Sequence, residues 1–192
     1  MESLFVSTGV VALAEIGDKT QLLAFLLATR FKKPLPIIAG ILVATILNHA
    51  MAGALGAWIT ATLSPEVLRW ILGLSFIGMA IWTLIPDKIE DEETQIAQRL
   101  GVFGATLITF FLAEMGDKTQ IATVALSAHY AAPWLVVSGT TLGMLIADVP
   151  AVFAGDRLAS RIPMRLVHAI AAAIFALLGV VTWMGAGTDL GF

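Results

Sequence analysis

Leu13-Ala14-Glu15-Ile16-Gly17-Asp18-Lys19-Thr20-Gln21 returns as Leu112-Ala113-Glu114-Met115-Gly116-Asp117-Lys118-Thr119-Gln120, and the two nonapeptides differ only at the fourth position. The offset is 99 residues, and each copy lies inside an otherwise apolar run. An ionisable side chain at the middle of a bilayer costs roughly 2.5–3.5 kcal/mol on insertion scales, so membrane spans seldom carry one without use. Each copy here carries a glutamate, an aspartate and a lysine. The repeat also runs outward at the same offset, pairing Pro34 with Pro133, Gly40 with Gly139, Gly56 with Gly155 and Phe76 with Phe175.

Composition places this doubled sequence in a membrane. The chain is 58% hydrophobic and 13% charged, with a mean hydropathy of +0.91, far from the charged fraction of a soluble domain. Apolar stretches of about 20 residues, long enough to cross a bilayer, fill almost the whole chain. They predict an all-α polytopic membrane protein with six transmembrane helices over 4–29, 34–61, 66–85, 100–128, 133–155 and 163–186. There is no cysteine, which excludes disulfides and thiolate metal sites. No Lys or Arg precedes Lys19, so the N-terminus reads as a retained first span rather than a cleaved signal peptide. Nothing points to nucleic acid; the expected surroundings are lipid.

Basic residues set the orientation. Across six spans one side receives Arg30, Lys32, Lys33, Lys88, Arg99, Arg157, Arg161 and Arg165, and the other only Arg69. The positive-inside rule puts the first group in the cytoplasm and both termini outside. Trp58, Trp70, Trp82, Trp134 and Trp183 fall near span ends, as interfacial aromatics do. The acidic run Asp87, Glu90, Asp91, Glu92 and Glu93 then reads as a solvated cytoplasmic linker. The expected organisation is a three-helix repeat over 1–85, a linker over 86–99 and a second three-helix repeat over 100–192. An odd number of spans per half makes the second half enter from the opposite side. The halves are therefore two inverted three-helix repeats, an architecture common in secondary transporters with a midplane site. Each chain holds both halves, so a monomer is sufficient. The Gly139/Gly143 pair leaves a homodimer open.

On a continuous helix Glu15, Asp18 and Gln21 would share one face, as would Glu114, Asp117 and Gln120. Facing copies would bring four carboxylates and two amides together, a hard-oxygen metal site for Ca²⁺, Mg²⁺ or Mn²⁺. Gly17 and Gly116 would either unwind the helix there or permit close packing. Lys19 follows Glu15 by four residues, the favourable order for a helical ion pair. One reading has each lysine neutralise its own glutamate with the motif as structural glue, and the other leaves the acids to a bound ion. Four carboxylates less two lysines leave −2, which one dication or two protons would balance. Spans two and five add Asn48 and His49, aligned with Ala147 and Asp148. Asp148 reads as a further acid of the site or proton path, or as a hydrogen-bonded core acid. His49 is a ligand, a proton carrier or a satisfied core imidazole, and the Asn48 amide suits a hard cation.

Glu-x-Gly-Asp-Lys-Thr, present as Glu15–Thr20 and Glu114–Thr119, resembles the signature of the transmembrane-protein-165-like family of divalent-cation/proton exchangers, which includes bacterial manganese exporters. The resemblance covers the whole chain. It implies a secondary transporter, not an enzyme and without a cofactor, in the cell inner membrane. Transported Mn²⁺, or alternatively Ca²⁺, would exchange for H⁺. It further implies that Glu15, Asp18, Glu114 and Asp117 bind the cation, with Thr20, Gln21, Thr119 and Gln120 nearby. An acid at position 148, where relatives often carry an amide, leaves ion preference and proton stoichiometry open. Rival readings are an exporter of another cation, a cation channel, and an intramembrane aspartyl protease with Asp18 and Asp117 as its dyad. The protease reading gives the neighbouring glutamates and lysines no task, and two facing motifs do not form a channel's ring.

Overall fold

A computed structural model describes residues 1–85, 100–154 and 164–184. The acidic linker, Arg157 and Arg161 lie outside the described residues, as does the side chain of Arg165. The described structure is all helical, with eight helices: α1 (Glu2–Glu15), α2 (Lys19–Phe31), α3 (Pro34–Thr62), α4 (Pro65–Thr83), α5 (Gly101–Glu114), α6 (Lys118–Tyr130), α7 (Pro133–Ala154) and α8 (Met164–Met184). Three stretches, Pro34–Thr62, Pro65–Thr83 and Pro133–Phe153, are long and apolar enough to cross a membrane; Gly101–Glu114 and Ala169–Met184 are shorter apolar segments. Proline at the first turn starts α3 and α4, where its missing N–H costs nothing.

The expected continuous spans at 4–29 and 100–128 are each interrupted, and the interruption falls inside the repeated motif. α1 stops at Glu15, Gly17 takes φ 86°, and Asp18 is extended before α2 begins. α5 stops at Glu114, Gly116 takes φ 76°, and Asp117 starts α6 in the same way. Left-handed backbone is nearly free for glycine and costs other residues about 1–2 kcal/mol, so the glycines fix where the helices part. Glu15, Asp18 and Gln21 therefore do not form a stripe along one helix, and neither do Glu114, Asp117 and Gln120.

Packing repeats with the sequence. α1 lies along α7, and its counterpart α5 lies along α3; α4 and α8, also counterparts, pack on each other. A Cβ on Gly40 would meet Thr106 Cβ at 2.7 Å and the Phe103 carbonyl at 3.0 Å. One on Gly139 would meet Ser7 Cβ at 3.0 Å and the Leu4 carbonyl at 2.5 Å. Leu4 and Ser7 precede Phe103 and Thr106 by the same 99 residues. The two helix pairs thus touch through matching positions, and Gly139 and Gly143 are both used against α1 within the chain.

Leu23, Ile37, Ile41 and Phe110 anchor one buried cluster, while Phe76, Leu126 and Phe175 anchor another. The outer surface carries large apolar side chains such as Phe5, Leu74, Ile81, Phe153 and Leu177, each more than half exposed. A surface this apolar is stable against lipid rather than water. The inside is the more polar region, with Glu15, Asn48, His49, Glu114 and Asp148 all at 0% exposure.

Candidate functional site

The helix breaks decide what the motif side chains do. Each glutamate is the last residue of its helix, α1 or α5, at the negative end of the dipole where a carboxylate is disfavoured. Each aspartate sits at the N-cap of the next helix, α2 or α6, where negative charge is favoured. The pairing leaves the glutamates in particular need of positive charge or donors. One donor is local: Thr20 Oγ1 donates to Glu15 Oε2 at 2.7 Å, and Thr119 Oγ1 to Glu114 Oε2 at 3.0 Å. The second oxygen of each glutamate, Oε1, is buried and has no hydrogen-bond partner among the described residues.

Gln21 and Gln120 brace the breaks. Gln21 Oε1 accepts from the Gly17 N–H at 2.9 Å, and Gln120 Oε1 accepts from the Gly116 N–H at 2.7 Å. This is a capping-box arrangement moved one residue outward. The amide nitrogens then tie each break to the other half. Gln21 Nε2 donates to the Ala147 carbonyl at 2.9 Å, while Gln120 Nε2 donates to Asn48 Oδ1 at 3.4 Å. Asn48 in turn donates to the Phe111 carbonyl at 3.0 Å.

The two breaks meet. One carboxylate oxygen from each of Glu15, Glu114 and Asp117 lies within 4.8 Å of the others. Oxygens on opposite sides of a cation with Ca²⁺-type bonds of 2.3–2.6 Å are about 5 Å apart, so the three can share one ion. Asp18 and Asp117 are 1% and 4% exposed, so all four motif acids are enclosed. Asp148 is close enough to act electrostatically on both Glu15 and Glu114. Neither of its carboxylate oxygens, nor either ring nitrogen of His49, has a hydrogen-bond partner among the described residues.

The lysines pair across the two halves. Neither pairs with its own glutamate, because the break carries it away from the preceding turn. Lys118 Nζ instead donates to Asp18 Oδ1 across the two halves at 2.6 Å, and Lys19 Nζ stands 3.7 Å from Asp117 Oδ1. Of the residues singled out from sequence, the geometry gathers Glu15, Asp18, Glu114, Asp117, Lys19, Lys118 and Asp148. Thr20 and Thr119 touch this group through the glutamates, and Gln21, Gln120 and Asn48 support it. The carbonyls of Phe111 and Ala147 carry no signal in sequence, since any residue supplies one.

The family model described as "Divalent cation/proton antiporter GDT1" matches residues 3–91 and again residues 102–190. A Vibrio cholerae protein named "Putative manganese exporter" is 52% identical over 184 residues, covering 95% of this chain and 90% of its own. A GDT1-like protein of Synechocystis is 31% identical over 195 residues, covering 91% and 93%. A GDT1-like protein of rice is 32% identical over 200 residues, covering 91% of this chain and 71% of its own. No solved structure matches.

Proposed function

We propose, from the premise that this chain belongs to the GDT1 family of divalent cation/proton antiporters, that it exports Mn²⁺ from the cytoplasm in exchange for protons. It is a secondary transporter rather than an enzyme, and a multi-pass membrane protein. The broken pairs α1–α2 and α5–α6 each serve as one span, which with α3, α4, α7 and α8 makes six. Helices of 14 and 13 residues, placed end to end, would reach about 40 Å at 1.5 Å per residue, enough to cross. Three spans per half make the repeats inverted, joined by the acidic linker on the cytoplasmic side, with both termini outside and the chain in the inner membrane. Discontinuous helices meeting near the midplane are the usual ion sites of such carriers.

One observation carries the reading: Glu15, Glu114 and Asp117 hold carboxylate oxygens within 4.8 Å of one another, and one oxygen of each glutamate has no hydrogen-bond partner among the described residues. Ion selectivity follows from that donor set. Carboxylates favour hard dications, and Mn²⁺ is preferred here on the named activity of the Vibrio relative. The four motif acids less two lysines leave −2, so one dication outward is balanced by two protons inward. Asp148 adds a group on which a further proton can reside.

Expression in cells lacking their own efflux tests this, with growth scored on Mn²⁺, Ca²⁺, Zn²⁺ and Co²⁺. Mn²⁺ tolerance should return, and Asp18→Asn or Asp117→Asn should abolish it with the protein still in the membrane. Tolerance that survives both substitutions would remove the motif from transport. Rescue on Ca²⁺ alone would assign the other ion.

A further inference from the structure

Pseudo-symmetry predicts two equal lysine–aspartate pairs, and the structure holds two unequal ones. Lys118 is 2% exposed and bonded to Asp18 at 2.6 Å; Lys19 is 24% exposed and 3.7 Å from Asp117. The metal-competent group reflects the same inequality. It contains Asp117, whose lysine is the more distant at 3.7 Å, and it omits Asp18, whose lysine is bonded at 2.6 Å. The helix breaks differ in the same sense. Gln21 is buried, whereas Gln120 is half-buried and lines a half-open cleft of about 220 Å³ between α3 and α6, with Ala52, Val124 and the exposed Met51, Leu55 and Ile121.

We infer that Lys19 and Lys118 are tethered counter-cations that trade places with the transported ion, each holding the other half's aspartate out of the site in one of two mirror-related states. In the state seen here Lys118 neutralises Asp18, and Asp117 joins Glu15 and Glu114. Inverting the roles of the halves gives the opposite state: Lys19 closes from 3.7 Å onto Asp117, Lys118 draws back from Asp18, and Asp18 takes its place beside the same two glutamates. The glutamates ligate throughout while the aspartates alternate, so at each moment the ion faces three carboxylates. A fourth simultaneous carboxylate would bind the dication more tightly and slow its release, and the lysines prevent that. Lys19 and Lys118 are positioning residues, since they act through the aspartates. This inference rests on the alternating-access reading above but is tested separately from transport.

The absence of cysteine makes the test clean. Val124→Cys reports the cleft beside Gln120, and Phe25→Cys marks the equivalent position of the first half. In the full chain reconstituted in liposomes, without metal, a water-soluble maleimide reads the labelling rate at each. Lys118→Gln removes the bond that holds the present state, so labelling should fall at Val124→Cys and rise at Phe25→Cys, the ratio shifting about tenfold. Lys19→Gln should shift the ratio the opposite way. Asp18→Asn breaks the Lys118 pair from its other end and should reproduce the Lys118→Gln shift, which keeps the test valid if that variant does not fold. Shifts in the same direction for both lysines, or none in folded protein, overturn the exchange of lysines. Failure of the Mn²⁺ growth rescue would instead overturn the transport reading.

Discussion

His49 and Asp148 occupy equivalent positions in the two halves, each at 0% exposure and each without a hydrogen-bond partner among the described residues. A buried polar group left unsatisfied costs about 1–3 kcal/mol, which a packing role alone would not repay. The pair also breaks the symmetry of the site, because only the second half adds an acid near the glutamates.

Asp148 is therefore an additional titratable acid that is not one of the three converging carboxylates. Asp148→Asn keeps the side-chain volume and removes the titratable group. We expect Mn²⁺ affinity in proteoliposomes to weaken about tenfold, on the scale of one lost charge interaction at short range, with protein yield unchanged. Fewer protons per Mn²⁺ should follow, read from a pH dye inside the vesicles against metal uptake. An unchanged ratio and affinity would place Asp148 outside the exchange.

Thr20 and Thr119 offer a test of the glutamates that leaves every charge in place. Valine has the shape of threonine without its hydroxyl, so Thr20→Val removes the donor to Glu15 and Thr119→Val the donor to Glu114. A hydrogen bond to a charged group contributes about 1.5–3 kcal/mol. The affinity for Mn²⁺ should change by tenfold or more in each variant and similarly in both, since the proposed site uses both glutamates. Isothermal titration in detergent measures this directly. A response from only one threonine would mean that the halves do not share the ion.

Gly116 separates backbone geometry from packing. Nothing lies within 4 Å of the Cβ that alanine would add there, yet φ is +76°. Gly116→Ala should cost about 1–2 kcal/mol from conformation alone, lowering the melting temperature modestly, and Gly116→Asn less because asparagine tolerates this region. Gly40→Ala is the contrasting case. Its added carbon would press on Thr106 Cβ at 2.7 Å and Cγ2 at 2.9 Å and on the Phe103 carbonyl at 3.0 Å, so the loss should be larger, and Thr106→Ser, which removes only Cγ2, should recover no more than a small part of it. Equal losses at both positions would contradict the left-handed break.

These positions show where the sequence is readable and where it is not. α3, α4 and α7 begin and end within two residues of expectation, because apolar length and proline bound them without reference to anything else in the fold. The motif acids stand out because they are too costly in lipid to be incidental. The breaks do not stand out in the same way. A glycine inside a helix costs about 1 kcal/mol, and membrane helices tolerate it, so Gly17 and Gly116 are compatible with both outcomes. Only the opposing half decides, by receiving the Gln21 and Gln120 amides. Crossing of the lysines is hidden for a related reason: the four-residue spacing from glutamate to lysine describes a helix that the fold does not make.

Acidity provides the last test, and its sign follows from the donor set. Hard dications bind carboxylates only in their deprotonated form, so protons and Mn²⁺ compete at Glu15, Glu114 and Asp117. Lowering the pH on the cytoplasmic face should raise the Mn²⁺ concentration needed for half-maximal export. Lowering it on the opposite face should speed export, because protons there displace the ion and load the returning carrier. If two protons replace each ion, the cytoplasmic half-maximal concentration should approach a hundredfold rise per pH unit at the acid extreme, against tenfold for one proton. Glu114→Gln removes one of the competing acids and should make that dependence shallower while also weakening binding. Vesicles with independently buffered inner and outer solutions measure both effects. Export that ignores pH on both faces would exclude protons as the counter-ion and leave the −2 site to be neutralised by another cation.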